Sequence, residues 1–541
     1  MASSPTRKLS MADPFDWILP YAARKLPVLA RNLAATTQPL ASQAGVRMLL
    51  KGGNAVDAAV ATAIALTVVE PIMNGIGGDL YAMVWDGTQL HGLNSTGESP
   101  AAWTAERFAR YESMPMKGWD SVTVPGGVAG WKALSLRFGR LPFTTLFEPA
   151  IAYARDGFLV SPFVASVWEE LAGLVCDQPG FGEAFLRDGR SPRPGELWRN
   201  PDQARSLQAI AETDGDSFYR GPLAQAIADF ARRTGGCLTQ EDLAAHQVEW
   251  VAPLGQNYRG YTLHEIPPNS QGIAALMALG ILEEFDLRAM GLDSVDAYHV
   301  MAEAIKLSFA DLYQHVSDPR TMRLATSDLL SPAYLKERAR SIDMRRAAAP
   351  LPGAPKQRGT VYLTTADASG MMVSLIQSNY WAFGSGLVVP GTGISLHNRG
   401  ANFSLQPGHP NQVAPRKKPL HTIIPGFVSR AGQPVMSFGV MGGAMQAQGH
   451  LQMMSRLVDF GQNPQAMSDA PRFLVESESD LLSVEEHLPA QVIEGLRQRG
   501  HKVDVAPTGH LKFGATQIIH RLEHGYLGVS DSRRDGQPVG F

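Results

Sequence analysis

The sequence predicts a mixed α+β protein, and three features of the chain support this class. Helical patterns dominate the first part, where a helix over 42–51 is followed by Gly52-Gly53, a typical helix stop. From about Ala347 to Gly359, a Pro-rich stretch of small residues with little periodicity predicts an exposed loop or linker. Two strand-like runs around a turn that ends in glycine come next, which is the pattern of a β-hairpin.

The other elements rest on local signals. Asn54 can cap a helix over 55–69, and a glycine-rich turn over 71–79 leads into a strand over 80–85. The apolar run 58–69 is far shorter than the ~20 residues that a membrane-spanning helix needs, so it predicts a buried helix. Further helices are predicted over 141–156, 223–233 and 295–314, and a further strand over 258–266.

Composition limits the classes of function. The chain has 541 residues, of which 44% are hydrophobic and 18% charged, so it can bury a core and disorder does not describe it as a whole. The net charge of −3 argues against a nucleic-acid protein that works through phosphate contacts. Cys176 and Cys237 are the only cysteines, which leaves neither a disulfide framework nor a multi-cysteine metal site. The length allows about three domains or one large layered domain.

Most familiar catalytic signatures are missing. The glycine-rich turn over 71–79 fails the dinucleotide pattern GxGxxG, and it lies between a helix and a strand in the wrong order. There is no GxSxG or GxxxxGK[ST], and His264-Glu265 does not continue as HExxH. None of the 14 histidines has partners at a metal-ligand spacing, so no metal is expected. No apolar segment follows the basic residues near the N-terminus, and we therefore expect a cytoplasmic enzyme.

One junction suggests a catalytic nucleophile. Thr360 stands at the first position of the hairpin, directly after Gly359 at the end of the loop. A threonine that becomes the first residue of a chain can act as a nucleophile, because its own α-amine then serves as the base. Glycine before it permits the backbone angles that attack on the preceding carbonyl needs. Taken alone, however, a Gly-Thr pair at a strand start is more often ordinary β structure.

The length of the hairpin loop decides what faces Thr360. With a four-residue loop over 367–370, Thr360 faces Gln377. A three-residue loop shifts the pairing by one and places Ser378 opposite Thr360, and cross-strand neighbours lie about 5 Å apart. A second hydroxyl close to the nucleophile is then plausible, and an ordinary Thr–Ser pair on a sheet is the alternative.

A series of motifs runs through the chain from about residue 40 to 475. They are Gly52-Gly-Asn-Ala-Val-Asp-Ala-Ala-Val60, Val69-Glu-Pro71, Gly75-Ile-Gly-Gly78, Val124-Pro-Gly-Gly-Val-Ala-Gly-Trp131, Leu146-Phe-Glu-Pro-Ala-Ile151, Glu303-Ala-Ile-Lys-Leu-Ser-Phe-Ala-Asp311, Phe383-Gly-Ser-Gly386, Pro390-Gly-Thr-Gly-Ile394, Lys418-Pro-Leu420, Gly442-Gly443 and Asp469-Ala-Pro-Arg472. In these residues and this order, the chain resembles the γ-glutamyltranspeptidase family of N-terminal-nucleophile (Ntn) hydrolases. The second half of the chain resembles one divergent branch of that family in particular. This branch includes glutathione-hydrolase-like proteins, cephalosporin acylases and oxamate amidohydrolase.

The resemblance implies a precursor that cuts itself between Gly359 and Thr360. The products would be a large subunit, 1–359, and a small subunit, 360–541, which associate as a heterodimer that can pair further into a dimer of heterodimers. Together they would form one catalytic domain, a four-layer αββα sandwich. The implied reaction partner is a small-molecule amide, with no cofactor, nucleic acid or membrane involved.

The resemblance also implies the roles of the catalytic residues. Thr360 would be the nucleophile both for processing and for catalysis, and Ser378 would be the second hydroxyl that hydrogen-bonds it. The backbone N–H groups of Gly442 and Gly443 would form the oxyanion hole, a role that suits glycine because a bare backbone lets substrate approach closely.

Some substrate-binding positions depart from the family pattern. Thr96 stands where transpeptidases carry an arginine that clamps the α-carboxylate of the γ-glutamyl group. Arg399 and Asn402 stand where the family has a glutamine and an aspartate for the α-amine. A site that has lost an acid and gained Arg399 is expected to favour an anionic or neutral acyl group over an ammonium. A structural ion pair is the alternative use of Arg399.

Three further positions complete the predicted acyl site. His421-Thr422 replaces the paired serines of the family, and Tyr380 replaces an asparagine near the nucleophile. The sequence therefore predicts an Ntn amidohydrolase whose substrate is not a standard γ-glutamyl compound. A true γ-glutamyltransferase or glutathione hydrolase is the enzymatic alternative, and an unprocessed binding protein is the non-enzymatic one.

Overall fold

The structure is a computed structural model in which residues 25–348, 360–476, 479 and 481–541 are described. Most of the predicted linker, and with it Gly359 at the predicted cleavage point, lies outside the described residues. No helix in the described part of the chain is long and apolar enough to cross a membrane.

Two antiparallel sheets, each of seven strands within the described residues, form the centre of the molecule. The strands in chain order are β1 (Val28–Ala30), β2 (Leu33–Thr36), β3 (Asp79–Trp85), β4 (Leu90–Ser95), β5 (Phe158–Leu159), β6 (Leu197–Trp198), β7 (Glu249–Val251), β8 (Leu254–Tyr258), β9 (Tyr261–Glu265), β10 (Val361–Ala366), β11 (Met372–Ser378), β12 (Val388–Val389), β13 (Ile394–Ser395), β14 (Gly426–Arg430), β15 (Gln433–Met441), β16 (Phe473–Val475), β17 (Leu481–Glu485), β18 (Lys502–Ala506), β19 (Ala515–Leu522), β20 (Gly525–Ser530) and β21 (Val539–Gly540). The first sheet has the order β1-β20-β19-β15-β14-β9-β8, and the second has β21-β2-β10-β11-β3-β4-β7.

The described residues form nineteen α-helices, and helices from this set cover the outer face of each sheet. They are α1 (Pro39–Leu50), α2 (Ala55–Val69), α3 (Ala105–Phe108), α4 (Gly127–Phe138), α5 (Glu148–Asp156), α6 (Pro162–Ala172), α7 (Phe181–Phe185), α8 (Pro201–Glu212), α9 (Asp216–Tyr219), α10 (Pro222–Arg233), α11 (Gln240–Ala244), α12 (Gly272–Leu282), α13 (Leu287–Met290), α14 (Val295–His315), α15 (Thr326–Leu329), α16 (Pro332–Arg340), α17 (Met445–Val458), α18 (Pro464–Asp469) and α19 (Ala490–Gln498). Helix α2 lies on the second sheet, and α12 and α17 lie on the first.

A third apolar cluster fills the space between the two sheets. Its members include Tyr81 and Tyr362 from the second sheet and Phe427 and Ile519 from the first, all fully buried. Alternating strand residues point to opposite faces of a sheet, so each sheet packs helices on one face and the other sheet on the opposite face. The fold is the four-layer αββα sandwich that the sequence leads us to expect.

The structure confirms the prediction that Asn54 caps helix α2. The Asn54 side chain accepts the N–H groups of Val56 and Asp57, and the Asp57 carboxylate accepts the Asn54 N–H, which is a complete capping box. Every residue of α2 is buried, because other helices and the second sheet surround it.

Two predicted elements differ in the structure. The predicted strand over 258–266 is a hairpin, in which β8 and β9 meet at Arg259 and Gly260, both with positive φ. Tyr258 and Tyr261-Thr262 favour strands, and the single glycine of the turn, Gly260, was included in one continuous strand. The predicted helix over 141–156 begins as a 3-10 turn at Phe143–Phe147 and becomes α-helical only from Glu148, where Pro149 suits the first turn of a helix.

The hairpin of β10 and β11 has the register of a three-residue loop. Val361 pairs with Gln377, and the Asp367 N–H donates to the Met371 carbonyl at 3.2 Å. Residues 368–370 therefore form the loop, and Ser378 lies opposite Thr360.

Candidate active site

The candidate site lies at one edge of the second sheet. Thr360 immediately precedes β10, and Ser378 ends β11. On the far side of β11, Ser378 pairs with Asp79, the first residue of β3. Antiparallel pairing thus brings Asp79 to the same edge as Thr360 and Ser378, although it lies 281 and 299 positions before them in the chain.

Two hydroxyl groups meet at this edge. Thr360 Oγ1 and Ser378 Oγ share a hydrogen bond of 3.2 Å, and both side chains are buried. The Tyr380 N–H donates to Ser378 Oγ at 2.7 Å. Ser378 Oγ is therefore held between the Tyr380 N–H and the Thr360 hydroxyl, and either hydroxyl can donate in the contact between the two.

Packing between the sheets brings the end of β15 toward the start of β10. Thr364 Oγ1 and Ser437 Oγ share a hydrogen bond of 2.6 Å across the two sheets. Two residues further along each strand, Gly439 lies so close to the Tyr362 ring that an added Cβ would come within 2.4 Å of it. Following this alignment by two more residues leads from Tyr362 to Thr360 and from Gly439 to Met441.

Gly442 and Gly443 come directly after Met441 and before α17. Their φ angles are +120° and +64°, which residues with a side chain disfavour and glycine adopts readily. Within the described part of the chain, neither glycine N–H donates to a protein acceptor. The Gly443 carbonyl accepts a hydrogen bond of 2.8 Å from Gln271 Nε2, which orients this turn. Two N–H groups without protein acceptors in the described residues, on a turn that the strand alignment brings toward Thr360, suit an oxyanion hole.

Behind the hydroxyl pair lies a buried cluster of charged residues around Asp79. Asp79 Oδ2 accepts hydrogen bonds from Arg399 Nε at 2.9 Å, His421 Nε2 at 2.7 Å and His397 Nδ1 at 3.2 Å. Although burial acts to raise the pKa of Asp79, Arg399 and the two histidines hold that pKa well below its usual range. Asp79 is therefore an anion, and Arg399 is engaged in an ion pair.

Arg399 also contacts two of the other predicted acyl-site residues. Its guanidinium lies over the Tyr380 ring at 4.7 Å from the ring centre, and Nη1 donates to Thr422 Oγ1 at 2.9 Å. Tyr380 has φ of +75°, a strained angle for a tyrosine, and its backbone N–H holds Ser378. The structure thus brings together the predicted residues Arg399, Tyr380, His421 and Thr422. Tyr380 connects them to the hydroxyl pair through its hydrogen bond to Ser378.

Asn402 belongs to the same short 3-10 helix as Arg399, Arg399–Asn402, and is 3% exposed. Its backbone carbonyl accepts a hydrogen bond from Asn411 Nδ2. Neither the nitrogen nor the oxygen of its side-chain amide has a hydrogen-bond partner among the described residues. A buried amide without partners costs free energy, and this makes Asn402 a candidate for contact with a ligand.

Thr96, which the resemblance places where transpeptidases carry a clamping arginine, lies among neutral side chains. Thr96 is buried, and its hydroxyl donates to Asn94 Oδ1 at 2.7 Å. Asn94 in turn donates to Asn269 Oδ1 at 3.1 Å. A neutral network of short side chains therefore occupies this side of the site.

Asp79 and His397 are the polar residues that sequence reasoning missed. Asp79 brings an acid to the site from β3, whereas Asn402, where the resemblance implied the loss of an acid, lies on a 3-10 helix. One signal was available, because an aspartate that opens an otherwise apolar strand run is unusual unless it has buried partners.

One group elsewhere in the described residues has metal-ligand character, namely His299, Glu303 and His501. Protein groups already engage its ligand atoms: His299 Nδ1 and His501 Nε2 lie 2.8 Å apart, and Glu303 accepts from Lys306 Nζ at 2.7 Å. The group lies outside the site around Thr360.

A second buried acid–histidine pair supports the glycine turn. His450 on α17 donates through Nδ1 to Glu265 Oε1 at 2.5 Å and accepts the Val440 N–H of β15 at 3.3 Å. Burial lowers the pKa of His450 to about 3 and raises the pKa of Glu265 well above its usual value. The neutral imidazole thus ties the helix after the glycine pair to the strand before it.

Comparison with known proteins agrees with this geometry. The family model described as gamma-glutamyltranspeptidase matches residues 41–541. The chain belongs to this family of Ntn hydrolases, and it is an amide hydrolase or acyltransferase.

Several individual proteins are similar to this chain over nearly their whole length. The chain is 37% identical over 519 residues to the glutathione hydrolase-like YwrD proenzyme of Bacillus subtilis, covering 94% of this chain and 98% of the relative. It is 36% identical to the oxamate amidohydrolase proenzyme of Klebsiella pneumoniae, covering 95% and 99%. The crystal structure of cephalosporin acylase from Bacillus halodurans is 46% identical and superposes with a TM-score of 0.92, covering 97% and 99%.

Proposed function

We propose that this protein is a self-processing amidohydrolase that uses Thr360 as an N-terminal nucleophile on a small-molecule amide. The observation that carries the proposal is the 3.2 Å contact between Thr360 Oγ1 and Ser378 Oγ at the sheet edge, toward which the packing of the two sheets brings the Gly442-Gly443 turn. The names of the relatives, which are proenzymes and amide-cleaving enzymes, support it.

Processing begins with attack of the Thr360 hydroxyl on the carbonyl of Gly359. The C–N bond between the two residues breaks as the new ester forms, and the threonine nitrogen takes up the hydroxyl proton. Water then hydrolyses the ester and releases 1–359 with a carboxyl end. The new chain, 360–541, starts with a free α-amine beside its own hydroxyl.

Catalysis repeats the same chemistry on a substrate. The α-amine of Thr360 accepts the hydroxyl proton while the oxygen attacks the amide carbonyl, and the N–H groups of Gly442 and Gly443 stabilise the oxyanion. The leaving amine takes the proton from the α-ammonium as the C–N bond breaks. Water resolves the acyl ester in hydrolysis, and an amine resolves it in transfer.

The acyl group of the substrate differs from γ-glutamyl in this proposal. The family's clamping arginine is absent because Thr96 occupies its position within a neutral network. Arg399 and the amide of Asn402 replace the groups that hold an α-amine. An anionic or neutral acyl group is the better partner for such a site.

Processing gives a direct test of the nucleophile. Denaturing electrophoresis and mass spectrometry of purified protein should give two chains, the smaller one starting at Thr360. Thr360→Ala should stay a single inactive chain, while Thr360→Ser, which keeps a hydroxyl, should still be cut. An intact chain that hydrolyses amides, or a Thr360→Ala variant that is cut and active, contradicts the proposal; an intact and inert wild-type chain favours a binding protein.

True glutathione hydrolysis or γ-glutamyl transfer is the second candidate, favoured by the likeness to the glutathione hydrolase-like relative. Rates on γ-glutamyl and glutaryl anilides, measured side by side with the processed enzyme, separate the two. We expect the glutaryl compound to be preferred. Preference for the γ-glutamyl compound would overturn our interpretation of Thr96, Arg399 and Asn402.

A further inference from the structure

A loop over 404–413 lies between two segments of the candidate acyl site. It follows the 3-10 helix Arg399–Asn402, and the chain after it leads to His421-Thr422. The Ser404 N–H donates to the Asn411 carbonyl at 2.9 Å, and this hydrogen bond closes the loop. The loop is therefore placed where it can set the spacing between the two segments.

The side chain of Asn411 holds these two segments together. Its Nδ2 donates to the Asn402 carbonyl at 2.6 Å, and its Oδ1 accepts the Leu420 N–H at 2.9 Å. Leu420 directly precedes His421. Because Asn411 is 4% exposed, loss of either hydrogen bond would leave a buried polar group without a partner. One buried amide thus joins the 3-10 helix to the segment that carries His421.

The Lys417 ammonium fixes the backbone on both sides of Asn411. Its Nζ donates to the Pro410 carbonyl and, at 2.9 Å, to the Gln412 carbonyl. Hydrogen bonds from a charged donor are about twice as strong as those between neutral groups. Lys417 is 6% exposed, so little water competes for these carbonyl oxygens. The charge of Lys417 therefore stabilises the turn that presents Asn411.

Burial makes this charge sensitive to pH. The charged and titratable groups that face Lys417 are Asp318, Arg320 and His409. Burial lowers the pKa of Lys417 to about 8, although Asp318 acts to raise it. Asp318 compensates little of the lysine charge because it already pairs with Arg320 at 2.6 Å. Burial also lowers the pKa of His409 below that of an ordinary histidine, so its ring is neutral when Lys417 titrates.

We propose that Lys417 is a positioning residue that holds Asn411 between the two segments of the acyl site, so that loss of its proton in alkaline solution weakens substrate binding. This inference rests on the proposed function at Thr360, and it adds a dependence on pH that comes from outside the reacting groups. Lys417 acts through the loop and not on the substrate. Its removal should therefore change KM more than kcat.

Kinetics of the processed enzyme test this role. Glutaryl and γ-glutamyl anilides are both assayed at neutral pH, and the one that wild-type enzyme hydrolyses faster is the probe. We expect Lys417→Met to raise KM about 10-fold while kcat changes less than about 3-fold. Lys417→Arg keeps a cation that can donate to both carbonyls, and its KM should stay close to the wild-type value. An unchanged KM in Lys417→Met, or a Lys417→Arg variant that is equally impaired, overturns the proposal.

Lys418→Met is the matched control. Lys418 is the next residue along the chain and is 5% exposed, but its Nζ lies 2.8 Å from Glu249 Oε1 and so contacts a carboxylate instead of the loop carbonyls. KM should stay at its wild-type value in this variant. A rise as large as that of Lys417→Met would assign the effect to the loss of any buried charge in this segment, which contradicts the proposal.

A double variant shows whether Lys417 acts through Asn411. Asn411→Ala removes both side-chain hydrogen bonds and should raise KM at least as much as Lys417→Met does. Adding Lys417→Met to Asn411→Ala should then raise KM no further, because the group that Lys417 positions is already gone. Fully additive effects would show that the two residues act independently and would refute the proposal.

The pH profile does not depend on whether Lys417→Met folds. In wild-type enzyme kcat/KM should fall above about pH 8 as Lys417 loses its proton, whereas Lys417→Arg, which keeps its charge, should show no such fall up to about pH 10. The α-amine of Thr360 has the opposite effect, because it must lose its proton to act as the base. The same fall in both enzymes would refute the role of Lys417.

The outcome for the proposed function is separate. Cleavage at Thr360 and anilide hydrolysis by wild-type protein test the nucleophile without any change at Lys417. If wild-type protein is neither cut nor active, the proposed function fails and this inference fails with it. If it is cut and active but Lys417→Met keeps the wild-type KM, only the present inference fails.

Discussion

Ser378 contacts the candidate nucleophile directly. Its hydroxyl is fixed by the Tyr380 N–H at 2.7 Å and reaches Thr360 Oγ1 at 3.2 Å. A small, buried hydroxyl suits this place because it can both donate and accept as the charge on the threonine oxygen changes during the reaction.

Replacing Ser378 tests this contact. Ser378→Ala should lower kcat about 10- to 100-fold and slow processing, because the threonine oxygen loses a hydrogen bond that orients it. Ser378→Thr keeps the hydroxyl and should retain most of the activity. The measurement is kcat on an anilide together with the rate of chain cleavage. Equal rates for Ser378→Ala and wild type would show that the hydroxyl has no part in the reaction.

Gly442 allows a second test at the residue scale. Its φ of +120° is open to glycine, and Gly442→Ala adds a strained side chain close to the Gly514 backbone. The N–H should shift away from the oxyanion, and kcat should fall about 10²- to 10³-fold, with a smaller change in KM. Gly432, with φ of +74° in an open turn, gives the control: Gly432→Ala carries similar strain but should leave kcat unchanged.

At the scale of secondary-structure elements, the site depends on where strands end. The start of β10, the end of β11, the start of β3 and the end of β15 each contribute one part of it. Rigid strands hold such groups more accurately than loops do. The neutral pair of Glu265 and His450 links β9, α17 and β15 behind the glycine turn.

The Glu265–His450 pair makes an element-scale prediction. Glu265→Ala leaves the His450 N–H without an acceptor and opens a cavity, so the free energy of unfolding should fall by about 2–4 kcal/mol. Glu265→Gln keeps an acceptor oxygen and should cost little, because burial already favours the uncharged acid. Urea unfolding of both variants gives the comparison. A loss in Glu265→Gln as large as in Glu265→Ala would mean that the carboxylate charge is needed.

At the scale of the whole molecule, several histidines are buried as neutral rings. Burial lowers the pKa of four buried ones to about 3 or 4: His421, His450, His501 and His520. An unfolded histidine has a pKa of about 6.5. Between these values the unfolded chain binds more protons than the folded chain, so folding loses stability as the pH falls.

We therefore expect Tm to fall as the pH is lowered from about 6.5 toward 4. Each such histidine contributes up to about 1.4 kcal/mol per pH unit. Calorimetry at a series of pH values checks the slope, and a Tm that is constant over this range would contradict it.

Glu70 acts in the opposite direction and provides an internal control. Burial raises its pKa to about 7, so between about pH 4.5 and 7 the folded chain binds a proton that the unfolded chain has lost. The contribution of Glu70 to the free energy of unfolding therefore falls as the pH rises. Glu70→Gln should be more stable than wild type at pH 8 by up to about 3 kcal/mol, and the two should converge near pH 4.5. A difference that does not change with pH would show that Glu70 does not titrate as its burial indicates.

The sequence by itself determined what depends on neighbours along the chain. The capping box at Asn54, the hairpin after the linker and the position of Thr360 at its start all follow from residues within a few places of one another. The motif series resembles a known family, and this resemblance also predicted the fold. Even the two possible registers of the hairpin could be written down beforehand, although only the structure chose the one that pairs Thr360 with Ser378.

Only the tertiary structure decided the environment of the acyl site. Asp79 and His397 are 318 positions apart in the chain, and their contact depends on the pairing of β3 with β11 and on the packing of the loop that follows β13. Local patterns cannot reveal such a contact, because burial and charge balance arise only when distant elements pack together. The sequence therefore showed that Arg399 is present, whereas the structure showed that Asp79 pairs with it.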